Sequence, residues 1–426
     1  MTDSAEQSRT TTLVPSDEEP ARRVGFGFIA VYAAAYCGLW IGLLTPVIVT
    51  LSLRVKALDP NNSTGSLSLV LGVGALLALV GNPFFGKLGD RTTSRFGRRR
   101  PWLVIGVLGG TLGLLVIALA PSISVVLVGW CLAQLMFNAA LSASVAILPD
   151  QVPQDQRGLV SGFLGICIPV AGIVGTYIVS AVGSSTLLKF LVPALITIAT
   201  TAVLVIVLKD KRARKDDLEP YSLGEFARSF WINPRTAPDF SWAWLGRFLL
   251  FMGLSFLLTY QAFYLTDHLH KTSGQIPGLI FKSTLTQSLV LIAVSLVVGP
   301  ISDRLNRRKA FVYTSAVIYA VGLAVIAFAH SFDVFLIGMA VTGIGQGVYL
   351  AVDLALVADV LPSRETAARD LGVFNIASAM PQSLAPAIAP LFLAIDGPKN
   401  YVALFTVAAI FSAVGALAIV PIRKVR

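Results

Sequence analysis

Apolar runs of about 20 residues recur along the whole chain, each closed by polar, Gly or Pro positions. Read between those breaks, the pattern predicts twelve helices near 25–52, 66–88, 101–119, 122–148, 158–182, 187–208, 242–267, 277–301, 310–329, 333–360, 371–395 and 400–421. Stretches such as 102–119, 187–208 and 402–421 carry almost no charge. At ~1.5 Å rise per residue they match the ~30 Å hydrocarbon core of a bilayer. Backbone groups find no water there, so spanning segments must close their hydrogen bonds as helices. The expected fold class is all-α, a polytopic membrane protein of twelve helices in two six-helix bundles.

Composition agrees: 55% of the 426 residues are hydrophobic and 13% are charged, more apolar surface than a water-soluble core could hide. Residues 1–20 are polar and acidic, ending in "SDEEP", and predict a disordered tail in place of a cleavable signal peptide. The expected organisation is a tail (1–24), an amino-terminal bundle (25–208), a basic linker (209–240), a carboxy-terminal bundle (241–421) and a short tail (422–426). Cys37, Cys131 and Cys167 all fall inside predicted spans, an odd and dispersed set that speaks against a disulfide framework or a metal site.

The net charge of +10 is unevenly placed. With both termini on one side, the opposite loops hold Arg54, Lys56, Lys189, Lys271, Lys282 and Lys399, and the terminal side holds the other 27 of 33 Lys and Arg. That asymmetry is the positive-inside pattern and predicts cytoplasmic termini in a multi-pass cell-membrane protein. The basic excess is thereby explained without a nucleic-acid partner. "NNST" at 61–64 contains glycosylation sequons, or is a plain turn.

Charge concentrates in "GDRTTSRFGRRRPW" at 89–102, with a shorter echo, "ISDRLNRRKAF", at 301–311. Asp90-Arg91 and Asp303-Arg304 lie 213 residues apart, while "DQVP" at 150–153 and "DVLP" at 359–362 lie 209 apart. The difference of four is taken up inside the charged loop, so two six-helix halves align. Duplicated halves predict a transporter, with the solute site at their interface near the midplane. Gly86 would let helix 2 approach a neighbour closely. Asp90 could face the positive N-terminus of a helix from the other half, and Arg98, Arg99 and Arg100 could pair with acids at helix ends or with anionic lipid. With Arg91, Asp150, Arg157, Asp303, Arg304 and Asp359 these residues form a candidate latch between the halves; the alternative is that they only fix topology.

The run Gly-x-x-x-Asp-Arg through Arg-x-Gly-Arg-Arg-Arg at 86–100 resembles the signature between helices 2 and 3 of the major facilitator superfamily. More narrowly, "TSRFGRRRP" at 93–101 and "GVFNIASAMPQ" at 372–382 resemble the sucrose/glycoside–proton symporter group. That likeness implies uptake of a glycoside or other polyol-like solute with protons. The group's fourth helix carries an intramembrane Asp and, eleven residues on, a sugar-contacting Arg; aligned on Asp150, these positions hold Gln134 and Val145. A coupling acid must therefore lie elsewhere.

Asp353 is the one carboxylate well inside a predicted span, six residues or ~9 Å before Asp359 at the helix end. A lone charge there costs at least ~2.5 kcal/mol, so it should face the bundle interior. It is the candidate proton-coupling residue, with Arg247 as partner; a static ion pair is the alternative. Candidate solute contacts near helix midpoints are Tyr32, Tyr36 and Trp40 on helix 1, Gln134 and Asn138 on helix 4, Tyr260, Gln261 and Tyr264 on helix 7, Gln287 on helix 8, Gln346 on helix 10, and Asn375 and Gln382 on helix 11. Amides and aromatic rings suit a neutral polyhydroxylated solute; each could instead serve helix packing. His268, His270 and His330 read as solvated mouth residues, and Pro46, Pro83, Pro169, Pro381 and Pro386 as kink sites. Helix 5 keeps Gly172 and Gly175 but lacks the Gly-Pro-x-x-Gly-Gly element of efflux relatives, which favours import over export. No acid/base cluster suggests an enzyme, and no added domain suggests a sensor. The chain is expected to move a small solute with protons, as a monomer, without cofactor or metal.

Overall fold

The computed structural model describes residues 23–210, 237–305, 307–360, 367–397 and 399–423. Among them are twelve helices long and apolar enough to cross a bilayer. They are α1 (Phe26–Leu58), α2 (Ser63–Asp90), α3 (Arg100–Leu119), α4 (Ile123–Gln151), α5 (Gln154–Ala181) and α6 (Thr186–Val207), then α7 (Pro238–His268), α8 (Ile276–Leu305), α9 (Arg308–Ala327), α10 (Phe332–Val360), α11 (Ala367–Leu393) and α12 (Tyr401–Ile419). Each predicted span has one of these helices. Since α1 starts at the terminal side and the count is even, each half begins and ends at the same "terminal" end; the opposite one is the "far" end.

The two halves pack alike. In each, the third helix lies along the fourth, the second along the fourth, and the first along the fifth and sixth, while the third also meets the sixth. Small residues set the closest approach. A Cβ on Gly113 would lie 2.6 Å from the Gly129 carbonyl oxygen and the Ala133 nitrogen; one on Gly322 would lie 3.1 Å from the Gly338 oxygen and 2.7 Å from the Thr342 nitrogen. These are the same contact made twice, 209 residues apart. Helices in lipid gain nothing from excluding tails, so backbone-to-backbone packing of this kind holds the pair. Gly113→Val or Gly322→Val should overpack the joint by about 1–3 kcal/mol, read as a lower thermal midpoint of the detergent-purified protein.

The prolines do not interrupt their helices. Pro83, Pro169, Pro381 and Pro386 lie within continuous α-helix, whereas Pro46 opens a π turn, Pro46–Thr50, in α1. A second π turn, Tyr264–His268, ends α7. Both sit toward the far end, where α1 and α7 meet. The sequon segment forms the turn before α2, with the Asn62 amide donating to Asp59 Oδ1 at 3.1 Å.

Candidate functional site

At the far end the two halves are tied together. The ammonium of Lys56, on the tip of α1, donates to Asp267 Oδ1 and, at 2.7 Å, to Thr266 Oγ1, both on α7. Asp267 also accepts from Tyr401 Oη at 3.0 Å and has Lys399 Nζ at 3.5 Å. The pair is largely shielded, its side chains 25% and 14% exposed. Deeper along the same seam, Ser68 Oγ on α2 and Tyr260 Oη on α7 share a 2.6 Å hydrogen bond, and Tyr260 reaches the Pro386 carbonyl of α11 at 3.4 Å. Beside them Gly72 lets α2 lie against the Ser383 backbone of α11, and Gly172 lets α5 meet Thr284 of α8. Every one of these bridges lies in the part of the bundle remote from the termini. Tyr260, expected to touch solute, is instead fully buried between the halves.

At the terminal end, the described contacts of Asp90, Arg98 and Arg99 in the charged loop stay within one half. Arg99 donates to Asp90 at 2.6 Å and to Asp150 at 2.8 Å, and Arg98 to Asp150 at 2.5 Å, all within the amino-terminal half. Asp210, where α6 runs into the linker, accepts from the Arg99 and Arg100 backbone amides at 2.7 and 2.9 Å. It thereby caps α3, whose own N-cap residue is an arginine and offers no acceptor. Arg100 reaches the Leu208 carbonyl, and Arg157 closes the end of α4 on the Val152 and Pro149 carbonyls at 3.0 and 3.1 Å. Asp90 thus meets its own half's arginine, because the loop folds back on helix ends within reach. A Cβ on Gly86 would meet nothing within 4 Å, so that glycine makes no close approach here. Arg304 is exposed; the side chains of Asp303 and Asp359 lie outside the described residues. Asp210→Ala should cost about 0.5–2 kcal/mol through the lost cap, measured as reduced stability with transport retained.

Between these ends, polar side chains pair across helices. Asn82 of α2 donates to Asn138 Oδ1 of α4 at 3.2 Å, and Asn138 donates to the Gln134 side chain at 3.2 Å. In the other half Gln287 of α8 donates to Thr342 of α10 at 3.3 Å. On α1, Tyr36 and Trp40 stack edge to face at 6.2 Å. Nearer the terminal end Arg247 Nη1 donates to Asp353 Oδ2 at 2.6 Å and Nε to Ser378 Oγ of α11 at 2.8 Å. The guanidinium also lies 4.8 Å and 5.3 Å from the ring centres of Phe374 and Phe251, cation–π contacts that hold it in place. Asp353 and Arg247 side chains are 5% and 12% exposed. Asp353 Oδ1 is buried without a hydrogen bond of normal geometry, and Tyr349 lies beside it.

The family model described as Major Facilitator Superfamily matches residues 24–285 and again 244–426, which together span nearly the whole described chain. The chain belongs to the major facilitator superfamily. As a member of it, it is a multi-pass membrane protein with twelve candidate spans. Its fold is similar to that of a nucleoside transporter, solved as a point mutant, with a TM-score of 0.73 at 14% identity over 93% of this chain and 98% of that one. A bacterial homologue of the human lysosomal transporter Spinster, in an inward-facing and unoccupied conformation, gives 0.67 at 14% over 92% and 94%. Among curated proteins, a class B tetracycline resistance protein of Escherichia coli is 26% identical over 193 residues, 45% of this chain and 46% of its own. A general alpha-glucoside permease of Schizosaccharomyces pombe is 26% identical over 151 residues, 32% and 26% of the two chains. A sucrose transport protein of Arabidopsis thaliana is 25% identical over 159 residues, 32% and 25%. The chain therefore matches less than half the length of each of these relatives.

Within this facilitator the expected solute contacts divide. Gln134, Asn138 and Gln287 are buried and linked to partners, and Gln261 is buried with an unpaired Oε1. Tyr36 and Trp40 are half-buried, as is Gln346, while Asn375 and Gln382 are exposed. Two tyrosines are packing residues. Tyr32 donates to the Ser144 carbonyl at 2.7 Å, and Tyr264 donates to the Ile326 and Ala329 carbonyls at 2.6 and 2.9 Å amid Phe335, Tyr401 and Phe405. Their hydroxyls have backbone acceptors, so neither is available to a solute here. His268 stacks on Tyr264 at 4.7 Å. Lys56, Asp267 and Asn82 were missed by the sequence reading.

Proposed function

We propose that this facilitator moves a small polar organic solute, of the sugar or glycoside kind, by alternating access coupled to protons. The bridge from Lys56 on α1 to Asp267 on α7 carries the reading. It joins the two halves at the far end of the pathway, which is what a gate closing that end requires. The positive-inside pattern makes the closed end the outer one and the termini cytoplasmic. Asn82, Gln134, Asn138 and Gln287 supply amide donors and acceptors at mid-depth, with the Tyr36–Trp40 pair as an aromatic face for a sugar ring. The only arginine well inside a span among the described residues, Arg247, is already neutralised by Asp353, which favours an uncharged solute. The alpha-glucoside permease and sucrose transport protein matches point the same way.

The test is uptake of labelled methyl α-glucoside, maltose and sucrose into proteoliposomes, with and without an imposed pH gradient. Coupling to one proton predicts roughly tenfold accumulation per pH unit. Movement of none of them, with tetracycline moved instead, would replace the sugar reading by the second one. That second reading, proton-driven efflux, is favoured by the tetracycline resistance match, the longest of the three.

A further inference from the structure

The repeat relates the two halves residue by residue. On α1 and α7 the offset is 215: Gly38 packs on Thr200 of α6 as Gly253 packs on Ser412 of α12. For the third to fifth helices of each half it is 209, as for Gly113 and Gly322. Buried neighbours agree, since Ala143, Ile147 and Leu164 share one apolar cluster while Val352, Leu356 and Val373 share another.

Applied to the buried ion pair, this register exposes an asymmetry. The residue 215 positions before Arg247 is Tyr32, 209 before Asp353 is Ser144, and 209 before Ser378 is Pro169. The twin joint exists: Tyr32 on α1 donates to the Ser144 carbonyl on α4 at 2.7 Å, just as Arg247 on α7 donates to Asp353 on α10 at 2.6 Å. One half closes this helix crossing with a neutral hydrogen bond. The other places a shielded charge pair at the same crossing, an arrangement that rarely adds stability over a well-packed neutral one. Folding therefore does not account for the charges.

We propose that Arg247, Asp353 and Ser378 form a proton-exchange site confined to the carboxy-terminal half, set on a joint that the fold can close without charge. The inference rests on the reading of the chain as a proton-coupled carrier. Asp353 Oδ1, buried and unbridged, is where the proton binds. Among the described residues, the titratable and charged groups facing Asp353 are Arg247 from α7 and Tyr349 from its own helix; α11 contributes Ser378, which acts on Arg247. Ser378 and the Phe251 and Phe374 rings hold the guanidinium, so protonation of Asp353 frees α10 from α7 while Arg247 stays with α11. Ser378 is thus a positioning residue.

The deciding variant copies the neutral twin: Arg247→Tyr with Asp353→Ser. Either change alone strands a buried group, whereas the double variant should purify as a stable monodisperse protein. In proteoliposomes it should exchange whichever of the three labelled sugars the wild type exchanges, within about threefold of its rate. A pH gradient should no longer drive accumulation. In weakly buffered detergent solution, the purified wild type should take up a proton on acidification that the double variant does not. Ser378→Ala should shift the pH midpoint of accumulation with little change in exchange, and Ser378→Thr should restore it. Gradient-driven accumulation by the double variant, loss of its exchange alone, or equal proton uptake would overturn the proposal. If the wild type exchanges none of the sugars, the carrier reading of this solute class fails, and the solute-free proton titration still decides the present one.

Discussion

With cysteines in place of Lys56 and Asp267, a short thiol-to-thiol crosslinker is expected to reduce sugar movement to background. Under the proposed alternating access the Lys56–Asp267 pair breaks in every cycle, and a covalent tie in its place holds the far end closed. Turnover measured before and after reducible crosslinking checks this; recovery on reduction shows that the protein was locked and not damaged. Undiminished transport in fully crosslinked molecules would mean that the seam between α1 and α7 does not part. The single change Lys56→Ala is the milder form of the test. It leaves Asp267 with Tyr401 and Lys399 and removes the ion pair between α1 and α7. Loss of a charged hydrogen bond is worth about 1.5–3 kcal/mol, so the ratio of far-closed to far-open molecules should fall by roughly 10- to 150-fold. Accessibility of a reporter cysteine on the seam gives that ratio directly.

The second large effect is expected from Asp353→Asn. The amide keeps the carboxylate's shape and can still accept from Arg247, but it cannot take up a proton. Gradient-driven accumulation should disappear, with the inside-to-outside ratio falling to unity, while exchange of labelled for unlabelled sugar continues. Some destabilisation is also expected, because Arg247 loses its counter-charge in a shielded place. Measuring exchange and accumulation on the same vesicles separates that loss from loss of coupling. Full accumulation by the variant would make the pair a static one.

The spans were legible because a bilayer imposes its thickness on the chain, and twelve apolar runs leave little freedom in reading them. Asp353 was legible for a related reason, as a carboxylate standing within such a run. Side-chain partners at helix ends were not. Lys56 and Asp267 lie 211 residues apart, and each alone looks like an ordinary loop charge. Asp210, which caps α3, looked like one more charge in a basic linker. The tyrosines failed in the opposite sense. Tyr32 and Tyr264 have the residue type and depth of solute contacts, but nearby carbonyls claim their hydroxyls. Periodicity tells which face of a helix is buried and not what it is buried against. Asn82 carries no signal of its own in the sequence, although it completes the chain through Asn138 to Gln134.

The π turn in α1 bears on how the Lys56–Asp267 pair could be broken without touching either residue. A π turn holds about one residue more than an α turn. Winding the same residues of Pro46–Thr50 as regular α-helix, with none removed, would swing everything beyond by about 100° around the axis. Lys56 would then point away from Asp267. A bulge more than a turn below the tip thus aims the lysine.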